Sequence, residues 1–177
     1  MSEKLKNKAM LLDKPVVSHP LLGWDTPLSQ WCLHTFLRCS KPPVPISHSY
    51  ICVNDYTRLR VTFNIDDWHD ASFSLFYFPF SERVCLSTSL QVPTEYRGRG
   101  IATWLMRLKF MLAREHGMHM ILATVDATNT AENRVLDKFP EWERLGFVNP
   151  DLVLWGATIK PTGEIVFGRR HEHNRIH

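Results

Sequence analysis

Leu90-Gln91-Val92-Pro93-Thr94-Glu95-Tyr96-Arg97-Gly98-Arg99-Gly100-Ile101-Ala102, continued by Thr103 to His116, decides how the rest of the chain is read. An apolar strand end, Leu90 and Val92, stops at Pro93. A turn follows with two glycines close together, and then a helical period begins. Ile101, Trp104, Leu105, Leu108, Met111 and Leu112 fall on one helix face, with Gly117 where a C-terminal stop belongs. Between a strand and a helix, a Gly-rich turn lets backbone N–H groups converge on an anion at the helix N-terminus. The dipole there contributes roughly 0.3–1 kcal/mol besides the hydrogen bonds themselves. Gly98 and Gly100 matter because a Cβ would block that approach, and Arg97 and Arg99 bring positive charge to the same place. The stretch predicts a phosphate cradle.

The chain has 177 residues, long enough for a real core and short enough for one domain. A hydrophobic content of 44% fits a soluble globular protein, and a net charge of +3 suits an anionic cofactor while falling short of a nucleic-acid footprint. Cys32, Cys39, Cys52 and Cys85 form no Cys-x-x-Cys pair, so neither a zinc knuckle nor a redox dithiol is signalled, and reduced, mostly buried thiols are expected. No apolar run reaches the ~18 residues that span a bilayer. Glu3, Lys4, Lys6 and Lys8 at the start lack the apolar neighbour of a signal peptide, so a cytoplasmic protein with no membrane contact is expected.

Residues 1–9 read as a polar tail. Pro27 to Arg38 reads as a helix with Thr26 as N-cap and Leu28, Trp31, Cys32 and Phe36 on its apolar face. Strands are predicted at Ser49–Val53, Leu59–Ile65 and Ser72–Phe80, with Asn54-Asp55 and Asp66-Asp67 turning between them. Arg83 to Val92 is a fourth strand leading into the cradle, and Met118 to Val125 is its parallel neighbour by β-α-β logic. Thr130 to Lys138 and Pro140 to Leu145 read as helical pieces. Leu152–Ile159 and Glu164–Arg169 read as a hairpin turned at Lys160-Pro161-Thr162-Gly163, with a basic tail beyond, 170–177. The pattern is a mixed α/β sheet.

Arg97-x-x-Gly100-x-Ala102, preceded by Val92-Pro93 and followed by Trp104-Leu105-Met106, resembles the acyl-CoA motif Gln/Arg-x-x-Gly-x-Gly/Ala of the GNAT (GCN5-related) N-acetyltransferases. It departs from a P-loop, since no Gly-Lys-Ser/Thr follows, and from a Rossmann fingerprint, since the second glycine pair is missing. Val125-x-x-x-Asn129 is similar to that family's strand-to-helix junction, and Trp142-Glu143-Arg144-Leu145-Gly146-Phe147 to its Tyr-Glu-Lys-x-Gly-Phe ending. The resemblance covers about Arg83 to Phe147. It implies a mixed, mostly antiparallel sheet with a central β-α-β acyl-CoA-binding unit flanked by helices, one domain over 1–177. It also implies acetyl-CoA as cofactor, held by Leu90, Gln91, Val92, Arg97, Gly98, Arg99, Gly100, Ile101 and Ala102, with Asn129 or Asn133 on the pantetheine arm.

The sequence departs from the family in two places. The distance from either Asn to Gly146 exceeds the family's usual spacing, which places extra residues at Asp137-Lys138-Phe139-Pro140-Glu141. Trp142 stands where many members carry the Tyr that protonates the leaving thiolate, and an indole N–H cannot be that acid. A thiol with a pKa of about 8.5 leaves tolerably without help, and backbone N–H groups of a splayed Leu90–Val92 strand would hold the oxyanion.

For the base, the position of the family's Glu is Leu86. Glu82 and Asp126 are the carboxylate candidates, each also readable as a surface or turn residue, and a water relay through Ser87, Thr88 or Ser89 is the alternative. Cys85 reads as a buried thiol before a nucleophile, and His116 and His119 as residues of a solvated helix end. His171, His173 and His177 read as a tail before a metal site. Trp24 and Trp31 either line the acceptor site or belong to the core.

The resemblance implies transfer to a small-molecule or protein amine by direct attack, in a monomer or homodimer. Two other readings stay open. One is a catalytically silent CoA-binding module, prompted by Trp142 and Leu86. The other is an enzyme acting on nucleic acid or charged tRNA, prompted by Arg169, Arg170 and Arg175.

Overall fold

The computed structural model describes residues 13–15, 23–55, 57–78 and 83–160. In chain order these hold α1 (Thr26–Cys39), β1 (His48–Asn54), β2 (Arg58–Asn64), β3 (Asp70–Tyr77), β4 (Val84–Gln91), a 3-10 turn (Thr94–Tyr96), α2 (Ile101–Glu115), β5 (Met120–Asp126), α3 (Thr130–Leu136), β6 (Trp142–Asn149) and β7 (Leu152–Thr158). The strands form one seven-stranded sheet in the order β1-β2-β3-β4-β5-β7-β6. β4 and β5 run parallel and every other pair is antiparallel, as expected of a single β-α-β crossover inside a meander.

Period-2 alternation sorts the strands into two faces. Leu59, Leu75, Ser87, Ala123 and Trp155 form one cross-strand row on the helix-covered face. α2 buries its predicted stripe there, and the Trp104 ring lies 4.9 Å from Phe63 of β2 and 5.1 Å from Phe36 of α1. One indole thus joins two helices to the sheet, and its Nε1 donates to Ser40 Oγ at 3.0 Å. α1 is capped by Asp25, whose carboxylate accepts from Leu28 N–H at 2.7 Å. The expected cap, Thr26, is the first helical residue instead. Asp25 has the extended backbone a cap needs, with Pro27 following in the first turn.

Other expectations are corrected. Pro140 to Leu145 is a turn followed by the start of β6, because Trp142 pairs with Ala157 of β7 and buries its ring beside Phe110 of α2. β7 therefore finds its hairpin partner upstream, in β6, through a turn at Pro150 and Asp151. Glu164–Arg169, the tail 170–177, residues 1–9 and the histidines at 171, 173 and 177 lie outside the described residues, as do Arg169, Arg170 and Arg175. Only Cys32 and Cys85 are buried, while Cys39 and Cys52 are exposed. Burial pushes the Cys85 thiol up to about 12, which removes the thiolate a nucleophile needs. His116 is buried too: its ring bonds Ser29 Oγ at 3.1 Å and Leu112 O at 2.8 Å, and stands edge-on to Trp24. Trp24 is core, fully buried, and Trp31 is half-buried. Among the described residues no helix is long and apolar enough to cross a membrane.

Lys109 sits on the buried side of α2 at 1% exposure. Its ammonium donates to Ser87 Oγ at 2.6 Å and lies 5.2 Å from the centre of the Phe73 ring. Burial lowers its pKa to about 8, partly offset by electrostatic interaction with Glu132 first and Cys85 second. Between pH 8 and the ordinary lysine value the unfolded chain binds the extra proton, so this group's contribution to stability rises with pH. Denaturant titrations of Lys109→Met and the parent at pH 7.5, 8.5 and 9.5 read it. The parent gains on the variant by about 2–3 kcal/mol in all across the lysine window; a constant difference refutes the buried cation.

Candidate functional site

The cradle forms where β4 leaves the sheet. Pro93 ends the strand, the 3-10 turn at Thr94–Tyr96 carries the chain over, and Gly98 and Gly100 take φ of +76° and +86°. Gly100 is the N-cap of α2 in a left-handed conformation, with no side chain to cap anything. The first bond into the helix is Trp104 N–H to Gly100 O at 3.0 Å. Among the described residues nothing accepts from the N–H groups of Gly98, Arg99, Gly100, Ile101, Ala102 or Thr103. Ile101 buries its side chain in the core and Ala102 is half-buried, so the start of the helix is held down from behind. A Cβ built on Gly98 or Gly100 would meet no protein atom within 4 Å. The space over these amides is open, and the glycines keep it so.

The two arginines brace the loop. Arg97 Nε donates to Val92 O at 3.2 Å, and Arg99 Nη2 donates to Glu95 O at 3.2 Å while the guanidinium lies over the Tyr96 ring. Each keeps further N–H groups and its full charge at the mouth. A cleft of about 310 Å³ opens beside the cradle, lined among others by Lys41, Gly100, Thr103, Arg107 and Lys138. Those three cations come from three separate segments. Sequence reading missed them because only the folded chain brings the end of α1, the flank of α2 and the end of α3 together.

A second feature missed in the sequence is the anchor behind the loop. Tyr96 O–H donates to Asp66 Oδ2 at 2.6 Å, and the His69 ring bonds the other oxygen, Oδ1, at 2.9 Å. Asp66 also accepts from Trp68 N–H and His69 N–H, both at 2.8 Å. In sequence Asp66 reads only as turn chemistry. In space it ties the β2–β3 turn to the cradle.

β4 and β5 then part. They pair only from Val84–Met120 to Ser87–Ala123, although β4 runs on to Gln91 and β5 to Asp126. On its other side β4 slips register against β3 between Ser74↔Thr88 and Ser72↔Gln91, a bulge at which Ser89 takes φ of +54°. Leu90, Gln91 and Val92 follow the bulge, so their peptide groups facing β5 have no strand to pair with.

The remaining candidates fall as follows. Asn129 caps α3: its Oδ1 accepts from Glu132 N–H at 3.1 Å and its Nδ2 donates to the Glu132 carboxylate. Asn133 donates to Asp126 O and Asn129 O and accepts from Trp155 Nε1 at 3.1 Å, stapling α3 to β5 and β7. Asp126 is an exposed turn carboxylate whose Oδ1 takes the N–H and O–H of Thr128, bonds that lower its pKa and weaken it as a base. Glu82 lies outside the described residues. Trp142 is buried with its Nε1 unpaired, a core residue at the start of β6. Residues 137–141, where extra length was expected, form the connection from α3 to β6.

A forked parallel pair feeding a helix with bare N-terminal amides, inside a mixed sheet of this order, is the GNAT fold. Residues 61–139 match the model of the acetyltransferase (GNAT) family. Solved structures agree at the level of the fold. The chain is similar to an N-acetyltransferase from Staphylococcus aureus (20% identity, TM-score 0.51, 58% of this chain and 68% of that one). It is also similar to the spermidine N-acetyltransferase of Vibrio cholerae in complex with CoA and spermine (14%, 0.51, 60% and 69%). A third is the ribosomal-protein-S18-alanine N-acetyltransferase of Escherichia coli (11%, 0.50, 65% and 77%). No curated protein sequence matches the chain significantly.

The Asp66 anchor makes a pH prediction. The Tyr96 hydroxyl first, then the backbone N–H of Trp68 and the His69 ring, hold the Asp66 carboxyl well below the usual carboxylate range. Its contribution to stability is therefore complete above about pH 4 and is lost as the pH falls through and below it. Asp66→Asn removes that dependence. Urea midpoints at pH 5 and pH 3 read it: the parent falls further than the variant, and equal losses refute the anchor.

Proposed function

We propose that the protein moves an acetyl group from acetyl-CoA to the nitrogen of an amine by direct attack, with no acyl-enzyme. The observation that carries this reading is the run of unpaired N–H groups from Gly98 to Thr103 over open space. Six consecutive donors without an acceptor among the described residues, at a helix N-terminus, are satisfied by water or by an anion, and a diphosphate supplies the anion. The match of residues 61–139 to the GNAT family model and the CoA bound to the structurally similar Vibrio cholerae enzyme support the same choice.

Acetyl-CoA supplies an acyl carbon already activated as a thioester and a thiolate that can leave. The chain's part is to hold and to polarise. Gly98 to Thr103 bind the diphosphate, with Arg97 and Arg99 at the mouth. The cleft of Lys41, Arg107 and Lys138 offers charge for a further phosphate. Backbone N–H groups of Leu90 to Val92, released from pairing by the fork, face the carbonyl oxygen and stabilise its developing charge. The amine arrives neutral, its N–C bond forms as the C–S bond breaks, and its proton passes to water. Thr88 and Ser89 stand at the fork to relay it; neither Asp126, with its lowered pKa, nor the Trp142 indole is suited to act directly.

Isothermal titration with acetyl-CoA tests the reading. Binding is expected, weakened by added salt, and reduced by at least about tenfold in Gly100→Val, where a β-branched side chain meets a left-handed φ and fills the cradle. No heat at millimolar cofactor overturns it. Binding without transfer to any amine leaves a CoA-binding module.

A further inference from the structure

The face of the sheet that no described helix covers carries an arrangement that acyl-CoA binding does not use. By strand register, Arg58, Arg60 and Thr62 of β2, Ser72 and Ser74 of β3, and Thr88 of β4 project to that side. Arg60 stands opposite Ser74, and Ser74 opposite Thr88. Thr88 is the first residue of β4 beyond its pairing with β5, at the root of the fork.

Four polar atoms here are buried and unpaired: Thr62 Oγ1, Ser74 Oγ, Thr88 Oγ1 and Arg58 Nε. Thr62 is 1% exposed and Ser74 0%. Each buried group left without a partner costs about 1–3 kcal/mol, so several on one face call for a ligand or water that satisfies them. The arginines point the same way. Among the described ion pairs neither has a carboxylate. Arg58 lies over the Phe76 ring at 5.2 Å, and Arg60 commits a single N–H, to Ser72 Oγ at 3.3 Å. Ser72 in turn donates to Gln91 Oε1 at 3.5 Å, so the Arg60 guanidinium is linked through one hydroxyl to the residue beside the expected thioester. Asp70, the carboxylate on the same face of β3, is exposed at its far end and pairs with neither arginine.

The surface is therefore rich in donors, carries two unneutralised guanidiniums, and runs up to the point of acyl transfer. A guanidinium with free N–H groups in a fixed fork matches a carboxylate, whereas a polyamine would meet repulsion there. Adjacent strands lie about 4.8 Å apart, so the Arg60 backbone is about 10 Å from Thr88, and its side chain closes part of that distance. That separation suits a small molecule with its nitrogen at the fork and its anion on β2.

Resting on the acyl transfer proposed above, we infer that the acceptor is an amine carrying a carboxylate, of amino-acid type. The carboxylate docks on Arg60 and Arg58, and the nitrogen lies at the fork beside Thr88 and Gln91. Transfer then forms the N–C bond, breaks the C–S bond and releases the amine proton to water, as for any amine.

The test compares amino acids with the matching amines that lack the carboxylate: glycine with methylamine, alanine with ethylamine, phenylalanine with phenethylamine. Release of free CoA thiol from acetyl-CoA gives the rates. The carboxylate-bearing member of each pair is expected to have the higher kcat/KM. Arg60→Gln should raise its KM about ten- to a hundredfold, the worth of a charge-assisted bond, with little change in kcat. The same variant is expected to cost the simple amines several-fold less than it costs the amino acids, and Arg60→Lys restores part of the loss. A preference for the simple amines, or an equal effect of Arg60→Gln on both sets, overturns the inference. Where no amine turns over, calorimetry with the amino acids and the CoA-loaded protein decides: heat lost in Arg60→Gln upholds it and absence of heat refutes it. Failure to bind acetyl-CoA strikes the transfer reading instead, and the same titrations without cofactor still decide the anion site.

Discussion

The parting of β4 from β5 is the constraint on which the rest of the molecule depends. Two parallel strands that pair for four residues and then diverge leave a row of peptide groups free to bond water or a ligand. The divergence is built in on the other side of β4, where the bulge against β3 puts Ser89 at φ of +54°. A left-handed conformation at a non-glycine residue costs roughly 1–2 kcal/mol, and it persists because β3 holds both flanks of the bulge in register. Lys109 fixes the root of the fork from behind, through Ser87, the last residue of β4 paired to β5. The cradle is a consequence: having left β5, the chain turns at Pro93 and starts α2 with its first amides bare.

What was readable in the sequence follows from locality. The stripe from Ile101 to Leu112 and the glycines before it announce themselves because helix period and turn chemistry are properties of neighbours in the chain. The alternation Leu59, Val61, Phe63 shows β2 for the same reason. The sequence predicts helix over Pro140 to Leu145 because Trp142 and Leu145 stand three apart after a proline. Only the pairing of Trp142 with Ala157, and its ring against Phe110, makes the segment a strand. His116 looked solvated from its place at a helix end, whereas Trp24 and Ser29, far upstream, close over it.

The candidate site divides along the same line. The cradle was legible, since its donors are consecutive residues. The cations Lys41, Arg107 and Lys138 were not, because three segments share them. Nor were Arg58 and Arg60, which alternate with an apolar set and read as the solvated side of an ordinary strand. Strand register alone brings Arg60 level with Ser74 and Thr88.

Both surfaces proposed to bind are positive, and the sheet keeps them from competing for one anion. The cradle lies at the end of β4 and the start of α2, while the arginines lie on the face away from the helices, and the fork is where the two sides communicate. The carboxylate that anchors Tyr96 illustrates how the charge is managed. Asp66 spends both oxygens on Tyr96, on the His69 ring and on backbone N–H groups, so it steadies the loop with few lone pairs left to draw on Arg97 or Arg99. Among the described ion pairs none involves Arg97 or Arg99, so an anion arriving at the cradle meets bare N–H groups and two guanidiniums. Separating a spent carboxylate from unspent cations is what lets a protein with a net charge of only +3 present two positive surfaces.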